Sequence, residues 1–228
     1  MRRPSLDLSV YLVTDTTLCG LKGVPATVAA AARAGVTAVQ LRDPTASDDE
    51  LVALGRAVVV ALRGTGVPLL VNDRVHLVDA IGADGAHIGQ SDVDPVEARE
   101  VLGPRAYLGL SAQTLEHVTA ARARGVGTLD YLGVGPVWPQ VTKPDAAEPG
   151  GVERLREIGA ASPWPCVAIG GIDVDRARVV RGTGVAGVAV VSAICGQPDV
   201  AAAHRAGAHQ VVPSHAARSA RAAARRWR

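Results

Sequence analysis

Short apolar runs alternate eight times with longer alanine-rich amphipathic stretches, and this alternation constrains the fold more than any single motif does. The runs predicted as strands are Leu8–Thr14, Ala38–Arg42, Pro68–Asn72, Gly85–Ile88, Tyr107–Ser111, Tyr131–Val137, Cys166–Ile169 and Gly187–Val191. The stretches predicted as helices are Ala26–Ala34, Asp48–Arg63, Arg74–Ile81, Pro95–Leu102, Leu115–Arg124, Val152–Ala161, Asp175–Arg181 and Asp199–Ala206. Such alternation indicates parallel strands joined by crossover helices.

Eight units of this kind match a single-domain α/β protein, the (β/α)8 TIM barrel, at the short end of its size range. Gly35, Gly82 and Gly103 follow predicted helices at positions typical of C-caps. An open, doubly wound sheet is the alternative architecture. We expect residues 1–207 to form the barrel and the basic Ala/Arg-rich segment 208–228 to be a flexible tail outside it.

The composition agrees with a soluble globular enzyme-sized domain and excludes several other classes. Hydrophobic residues make up 48% of the chain and phenylalanine is absent, so a core of small branched side chains is expected. A net charge of +2 gives no reason to expect a nucleic-acid partner. No apolar run approaches the roughly 20 residues of a membrane span.

The cysteines and the N-terminus indicate a cytoplasmic location. Cys19, Cys166 and Cys195 are odd in number, far apart and lack metal-site spacing, which fits a reducing compartment. The segment Met1–Ser5 has no signal-peptide pattern. A homo-oligomer is compatible with the sequence.

Polar residues stand at the carboxyl ends of most predicted strands, where TIM barrels place their chemistry. Asp73 and Asp92 end neighbouring strands, and two converging carboxylates with phosphate oxygens and water are typical of a magnesium site. The alternative is that Asp73 caps the helix beginning at Arg74 and that Asp92 belongs to an Asp-rich turn before the helix at Pro95. Asp94, directly before Pro95, is the better cap for the helix that begins there, so Asp92 is free for another role such as metal binding.

A proline-rich loop after the sixth strand carries Thr142 and Lys143. Lys143 together with Arg42 would suit a pyrophosphate, because an ammonium and a bidentate guanidinium complement its charge. The alternative for Arg42 is a local ion pair with Asp43. Gln40 and Asn72 could point their amides into the barrel mouth or be satisfied buried amides.

A second anion site is indicated where strands seven and eight end. Gly171 and Ser192 follow these strands, whose loops often bind phosphate in barrels. The six histidines form no ligand cluster by spacing, and we expect His87 to be a core histidine rather than a catalyst. The sequence has no P-loop, Rossmann fingerprint or Ser/His/Asp arrangement that stands out.

The strand-end motifs together resemble the thiamine-phosphate synthase family over roughly residues 8–206. The segments that carry the resemblance are Val39–Asp43, Val71–Arg74, His87–Asp92, Gly109–Ser111, Gly133–Pro139, Thr142–Asp145, Ile169–Ile172 and Val191–Ile194. The resemblance implies that hydroxymethylpyrimidine diphosphate and hydroxyethylthiazole phosphate are joined to give thiamine phosphate and pyrophosphate. In that family the pyrimidine diphosphate ionises first and the thiazole nitrogen captures the cation.

The resemblance also implies roles for individual residues. Asp73 and Asp92 would hold Mg²⁺, and the catalytic residues would be Arg42, Lys143 and Ser111. The pyrimidine diphosphate would be bound by Gln40, Leu41, Arg42, Asp43, Pro44, Asn72, Ser111 and Lys143. The thiazole phosphate would be bound by Gln140, Val141, Thr142, Gly171, Val191 and Ser192. The implied partners are thus small phosphorylated substrates, with no nucleic acid and no membrane.

Two positions depart from the family pattern. Pro44 stands where a lysine is usual, and Gln140 stands where a hydroxyl is usual. Two alternatives therefore stay open: a thiazole tautomerase, and a catalytically silent barrel that binds thiamine precursors. Asp73, Asp92 and Lys143 argue against the tautomerase, because that reaction needs no diphosphate-binding metal.

Overall fold

A computed structural model describes residues 5–143 and 146–199 as a closed barrel of eight parallel strands. The strands pair in chain order and β8 pairs with β1, which confirms the (β/α)8 barrel and excludes the open sheet. The strands are β1 Val10–Val13, β2 Ala38–Leu41, β3 Leu69–Asn72, β4 Gly85–Ile88, β5 Tyr107–Ala112, β6 Tyr131–Val134, β7 Cys166–Ile169 and β8 Gly187–Val190.

Helices follow the first seven strands within the described ranges. They are α1 Thr16–Cys19, α2 Val24–Ala34, α3 Asp48–Leu62, α4 Val78–Ile81, α5 Pro95–Leu102, α6 Leu115–Ala123, α7 Gly151–Ala161 and α8 Val174–Arg181, with 3₁₀ turns at Gly20–Lys22 and Val75–Leu77. None of the helices in the described part of the chain is long and apolar enough to cross a membrane. Residues 200–206 of the predicted last helix and the predicted tail 208–228 lie outside the described residues.

Two local predictions were incomplete. The short α1, capped by the Asp15 side chain, was not predicted, because four residues are too few to show helical periodicity. The helix predicted over Arg74–Ile81 begins instead with a 3₁₀ turn. The cause lies just before it, since Asp73 has a φ of 61° and the backbone of Arg74 is not helical.

The strands bury one set of side chains outward against the helices. Leu12, Leu41 and Leu108 on the strands are fully buried in the same cluster as Val58 and Ile158 on the helices. Aliphatic residues dominate this layer, as the absence of phenylalanine required. Burying such side chains is the main driving force for closing the helical ring around the barrel.

The inward-facing side chains form a second, smaller cluster that fills the barrel with two tyrosine rings. Tyr11 and Tyr131 are almost fully buried and pack edge to face with ring centroids 5.9 Å apart. Gly109, paired in register with Tyr131, leaves room for its ring, because a Cβ there would lie 2.1 Å from Tyr131 Cζ. Gly133 leaves room for His87 in the same way, because a Cβ there would lie 3.0 Å from His87 Cε1.

A chain of hydrogen bonds crosses this interior, and we call it the floor chain. Gln40 Nε2 donates to the Tyr11 hydroxyl at 3.0 Å, and the Tyr11 and Tyr131 hydroxyls are bonded at 2.8 Å. His87 then bridges Tyr131 and Ser111, with Nδ1 2.9 Å from the Tyr131 hydroxyl and Nε2 3.0 Å from Ser111 Oγ. The floor chain therefore links β1, β2, β4, β5 and β6.

The floor chain is electrically neutral at physiological pH. Burial raises the pKa of Tyr11 to about 12, and hydrogen bonds from Tyr131 and Gln40 oppose that shift only in part. Burial, together with the positive charge of Lys143, lowers the pKa of His87 to about 4. A neutral network avoids the large cost of an unpaired buried charge.

We predict that Gly109→Ala destabilises the protein by about 1–3 kcal/mol or more, because its new methyl group would overlap a tyrosine ring that is packed on all sides. Gly127→Ala is the matched control, since no atom lies within 4 Å of a Cβ there. Urea unfolding of both variants measures the difference. Equal stability of the two would contradict the described packing.

We also predict that the hydroxyl groups of Tyr11 and Tyr131 are energetically coupled. Tyr11→Phe and Tyr131→Phe should each cost about 1–3 kcal/mol, because each leaves a buried polar partner unpaired. The double variant should cost less than the sum of the single variants, since their shared bond is lost only once. A double-mutant cycle by urea unfolding measures this, and strict additivity would count against the direct bond.

Candidate active site

An open cavity of about 590 Å³ lies at the carboxyl ends of the strands, a volume typical of small-molecule sites. Its lining includes most of the residues singled out from the sequence. They are Gln40, Arg42, Asn72, Ser111, Gln140, Val141, Thr142, Lys143, Gly171, Val191 and Ser192. The lining does not include Leu41, Asp43, Pro44, Asp73 or Asp92.

The floor of the cavity is the end of the floor chain. Gln40 and Ser111 stand at its two ends, so each side chain is held by a bonded neighbour before any ligand enters. The backbone carbonyl of Ser111 also accepts a 2.5 Å bond from Gln90 Nε2. The structure therefore supplies two positioned polar groups in the lining of the cavity.

Sequence reasoning missed the tyrosines of the floor chain and understated His87. His87 is buried as expected, but it also borders the cavity and holds Ser111. A usable signal was present, since Tyr11 and Tyr131 are two of only three tyrosines and both interrupt aliphatic strands. A large polar ring inside such a strand has to find a hydrogen-bond partner in the barrel interior.

Asp73 and Asp92 are exposed residues that follow β3 and β4, next to a strand end that lines the cavity. Asn72, which lines the cavity, donates from Nδ2 to Asp73 Oδ2 at 2.6 Å, and the Gly89 N–H donates to Asp92 Oδ2 at 2.6 Å. The pKa of Asp73 is raised to about 6, first by desolvation and then by the neighbouring carboxyl of Asp92. The two carboxyl groups therefore converge.

Of the two carboxylates considered as helix caps, Asp94 caps a helix and Asp73 does not. The 3₁₀ turn that follows Asp73 has no side-chain cap, so Asp73 does not serve that purpose. Asp94 caps α5 by accepting the Val96 N–H at 2.8 Å, as expected.

The donor set fits magnesium. Two adjacent carboxylates repel each other. A shared proton would relieve that repulsion, and so would a bound divalent cation. Within residues 5–143 and 146–199, no group of three or more His, Cys, Asp or Glu side chains is placed to hold a metal. The remaining ligands would therefore have to be water or substrate oxygens, as is usual for Mg²⁺.

In the loop after β2, Arg42 lines the cavity, whereas Asp43 and Pro44 do not. Arg42 lines the cavity, and its backbone N–H donates to Thr14 Oγ1 at 3.0 Å. Asp43 accepts bonds within its own loop and from Thr16 Oγ1 at 2.7 Å. Burial works to raise the pKa of Asp43, but these hydrogen bonds outweigh it and lower the pKa.

The predicted contacts of Leu41, Asp43 and Pro44 with the pyrimidine substrate therefore remain predictions. The Leu41 side chain is fully buried in the layer between barrel and helices. The Asp43 carboxylate bonds its own loop and Thr16, not Arg42 as the ion-pair alternative required.

Gln140 organises the loop that carries Thr142 and Lys143. Its Oε1 accepts the Lys143 N–H at 2.8 Å and the Thr142 hydroxyl at 3.0 Å, and its Nε2 donates to the Lys143 carbonyl at 2.5 Å. The positive charge of Lys143 acts to lower the pKa of Asp73, which places it on the carboxylate side of the cavity. The amide thus closes a tight turn between residues 140 and 143.

The opposite wall of the cavity is formed by the ends of β7 and β8. Gly170 and Gly171 have φ angles of 102° and 64°, a region that favours glycine. A Cβ on Gly171 would lie 2.5 Å from the Pro139 carbonyl oxygen, so the backbone approaches the preceding loop very closely there. Ser192 belongs to the same wall, and its carbonyl accepts a 2.8 Å bond from Gln197 Nε2.

Comparisons with known proteins agree with this geometry. The family model described as thiamine monophosphate synthase matches residues 10–194. A thiamine-phosphate synthase of Azorhizobium caulinodans is 45% identical over 199 residues, which cover 87% of this chain and 92% of the relative. One of Psychrobacter sp. is 48% identical over 192 residues, which cover 84% of this chain and 90% of the relative.

Solved structures show the same likeness. The thiamine phosphate pyrophosphorylase of Pyrococcus furiosus has a TM-score of 0.81 at 35% identity, with 91% of this chain and 98% of that chain covered. A 3-hexulose-6-phosphate synthase, at 18% identity and a TM-score of 0.66, shares the fold alone. The match of the family model over most of the barrel and the high identity of the relatives show that the chain belongs to the thiamine monophosphate synthase family.

Proposed function

We propose that the protein is a thiamine-phosphate synthase, a transferase that joins hydroxymethylpyrimidine diphosphate to hydroxyethylthiazole phosphate and releases pyrophosphate. The observation that carries the proposal is one cavity with two chemically different ends, each of which would suit an anion. One end has Arg42 and Lys143 next to a converging carboxylate pair, and the other has the Gly171 turn and Ser192. The relatives named above, 45% and 48% identical, bear the same name.

At the diphosphate end, Arg42, Asn72 and Lys143 would bind the leaving group. The bond between the pyrimidine methylene carbon and the diphosphate oxygen breaks, and its electron pair leaves with the diphosphate. Fixed cations stabilise the charge that develops on that oxygen better than reorienting water does. Mg²⁺ held by Asp73 and Asp92 would neutralise further charge on the diphosphate.

At the floor, Gln40 and Ser111 would orient the pyrimidine ring. Both are already held by the floor chain, so little side-chain entropy is lost when the ring binds. The neutral tyrosines and histidine add no competing charge next to the pyrimidinyl-methyl cation. Preorganisation without charge suits a site where a carbocation forms.

At the other end, the thiazole phosphate would be held by the residues that the resemblance assigns to it, namely Gln140, Val141, Thr142, Gly171, Val191 and Ser192. Holding the phosphate fixes the ring, so its nitrogen lone pair can form the new carbon–nitrogen bond. The turn at 140–143 would lie between the two anions, with Lys143 toward the diphosphate.

The two alternatives have less support. The converging carboxylates favour a diphosphate-processing enzyme over a tautomerase. The departure at Gln140 does not favour a silent barrel, because this residue closes the turn that presents Thr142 and Lys143. We also propose a cytoplasmic location, which the free thiols of Cys19, Cys166 and Cys195 support.

We predict that purified protein with Mg²⁺ and both substrates forms thiamine phosphate and releases pyrophosphate in equal amounts. Chelation of Mg²⁺ should stop turnover, and added Mg²⁺ should restore it. Product analysis by chromatography and a pyrophosphate assay measure both quantities. Binding of both substrates without product would instead establish the silent barrel.

Two variants test the diphosphate end within the same assay. Asp73→Asn keeps a residue that tolerates a positive φ, so it removes the charge without straining the backbone. Asp73→Asn and Lys143→Ala should each lower kcat by about 100-fold or more, as expected for groups that stabilise developing charge. Near-native rates in both, with unchanged unfolding midpoints, would mean that the diphosphate binds elsewhere.

A further inference from the structure

Arg176 lies at the end of the cavity proposed for the thiazole phosphate, and neither the motifs nor the resemblance assigned it a role. It belongs to the first turn of α8, directly after the Gly170–Gly171 turn. Its side chain lines the same cavity as Thr142 and Ser192. It is therefore a cation at this wall, where the other charged residue among the described lining residues is Asp173.

The guanidinium of Arg176 is held in place mainly by neutral contacts. Nη1 donates to the Gly171 carbonyl at 2.6 Å, and the guanidinium carbon lies 5.4 Å from the centre of the Trp138 ring. Asp173, which also lines the cavity, forms a long, partly exposed ion pair with Arg176: its Oδ2 is 3.9 Å from Arg176 Nε, beyond hydrogen-bond distance. The Asp173 carboxylate instead caps α8, with Oδ1 accepting the Arg176 backbone N–H at 2.9 Å.

The charges around the cavity are unevenly distributed. A phosphate monoester carries about −1.5 to −2 charges at neutral pH. The residues assigned above to the thiazole phosphate are all uncharged, whereas the diphosphate end has Arg42, Lys143 and a metal site. Among the described residues that line the cavity, Arg176 is the third permanent cation, and it comes from β7–α8, on the other side of the barrel from Arg42.

We propose that Arg176 binds the phosphate of the thiazole substrate through its Nε and Nη2 groups while Nη1 holds the Gly171 carbonyl. A guanidinium fork matches two phosphate oxygens, and its stacking on Trp138 fixes its plane. Arg176 thereby makes the site selective for a phosphorylated thiazole. The inference rests on the proposed synthase function and adds a specificity-determining residue to it.

The test is calorimetric binding of hydroxyethylthiazole phosphate to the native protein, Arg176→Gln, Arg176→Lys and Arg178→Gln. Arg178 is the matched control, because it lies on the same helix, bonds to Asp175 and does not line the cavity. Arg176→Gln should bind about 10- to 100-fold more weakly, the range for loss of a charge-assisted bond. Arg176→Lys should recover part of the affinity, and Arg178→Gln should bind like the native protein.

The salt dependence separates a phosphate contact from a structural role. Raising the KCl concentration should weaken binding to the native protein and to Arg178→Gln more steeply than to Arg176→Gln. Weaker binding to Arg176→Gln with the native salt dependence would show that Arg176 acts only through the Gly171 turn, and would overturn the proposal. Native affinity in Arg176→Gln would overturn it while leaving the synthase function intact. A native protein that does not bind the thiazole phosphate would overturn both.

Discussion

The hydrogen-bonded floor chain inside the barrel is the interaction on which the rest of the site depends. Two tyrosine rings and a histidine meet in the barrel interior among aliphatic side chains such as Leu70 and Val167, and glycines at 109 and 133 make room for them. Their polar atoms are paired with one another or with Gln40 and Ser111. The same set of contacts therefore packs the barrel and positions the side chains at the floor of the cavity.

The loops above the floor are also held in place by hydrogen bonds without a ligand, because side chains of each loop bond to its own backbone. Gln140 closes the turn that carries Lys143, and Asp43 closes the turn after Arg42. Arg176 holds the carbonyl of Gly171 in the turn after β7. Rigid loops of this kind lower the ordering cost of binding two anions in one cavity.

The fold could be predicted almost completely from the sequence. Apolar runs alternate with amphipathic stretches, and glycines mark the ends of several helices, so each strand and helix leaves a recognisable pattern. The β4, α5 and β7 bounds agree with the prediction, while β1 is shorter than the apolar run Leu8–Thr14, since pairing and not hydrophobicity limits a strand. The convergence of Asp73 and Asp92 followed from the rule that parallel strands end at one edge. Asp73 follows β3 and Asp92 follows β4, and these two strands are neighbours in the barrel.

The floor chain could not be predicted in the same way. Whether Tyr11, Tyr131 and His87 face one another depends on the barrel register, and a shift of one residue would turn them toward the helices. The roles of Asp43 and Gln140 depended on hydrogen bonds that span two or three residues of irregular backbone. Arg176 was overlooked because a charged residue in the first turn of a surface helix is ordinary in sequence.

We propose that the cavity holds two phosphorylated ligands side by side, separated by the turn at 140–143. The most direct measurement is a calorimetric titration of hydroxyethylthiazole phosphate into protein already saturated with Mg²⁺ and pyrophosphate. Pyrophosphate takes the place of the pyrimidine diphosphate, because it cannot react with the thiazole phosphate. We predict that one thiazole phosphate binds per chain with an affinity equal to or higher than that measured without pyrophosphate. Competition between the two ligands would show instead that they share one anion site.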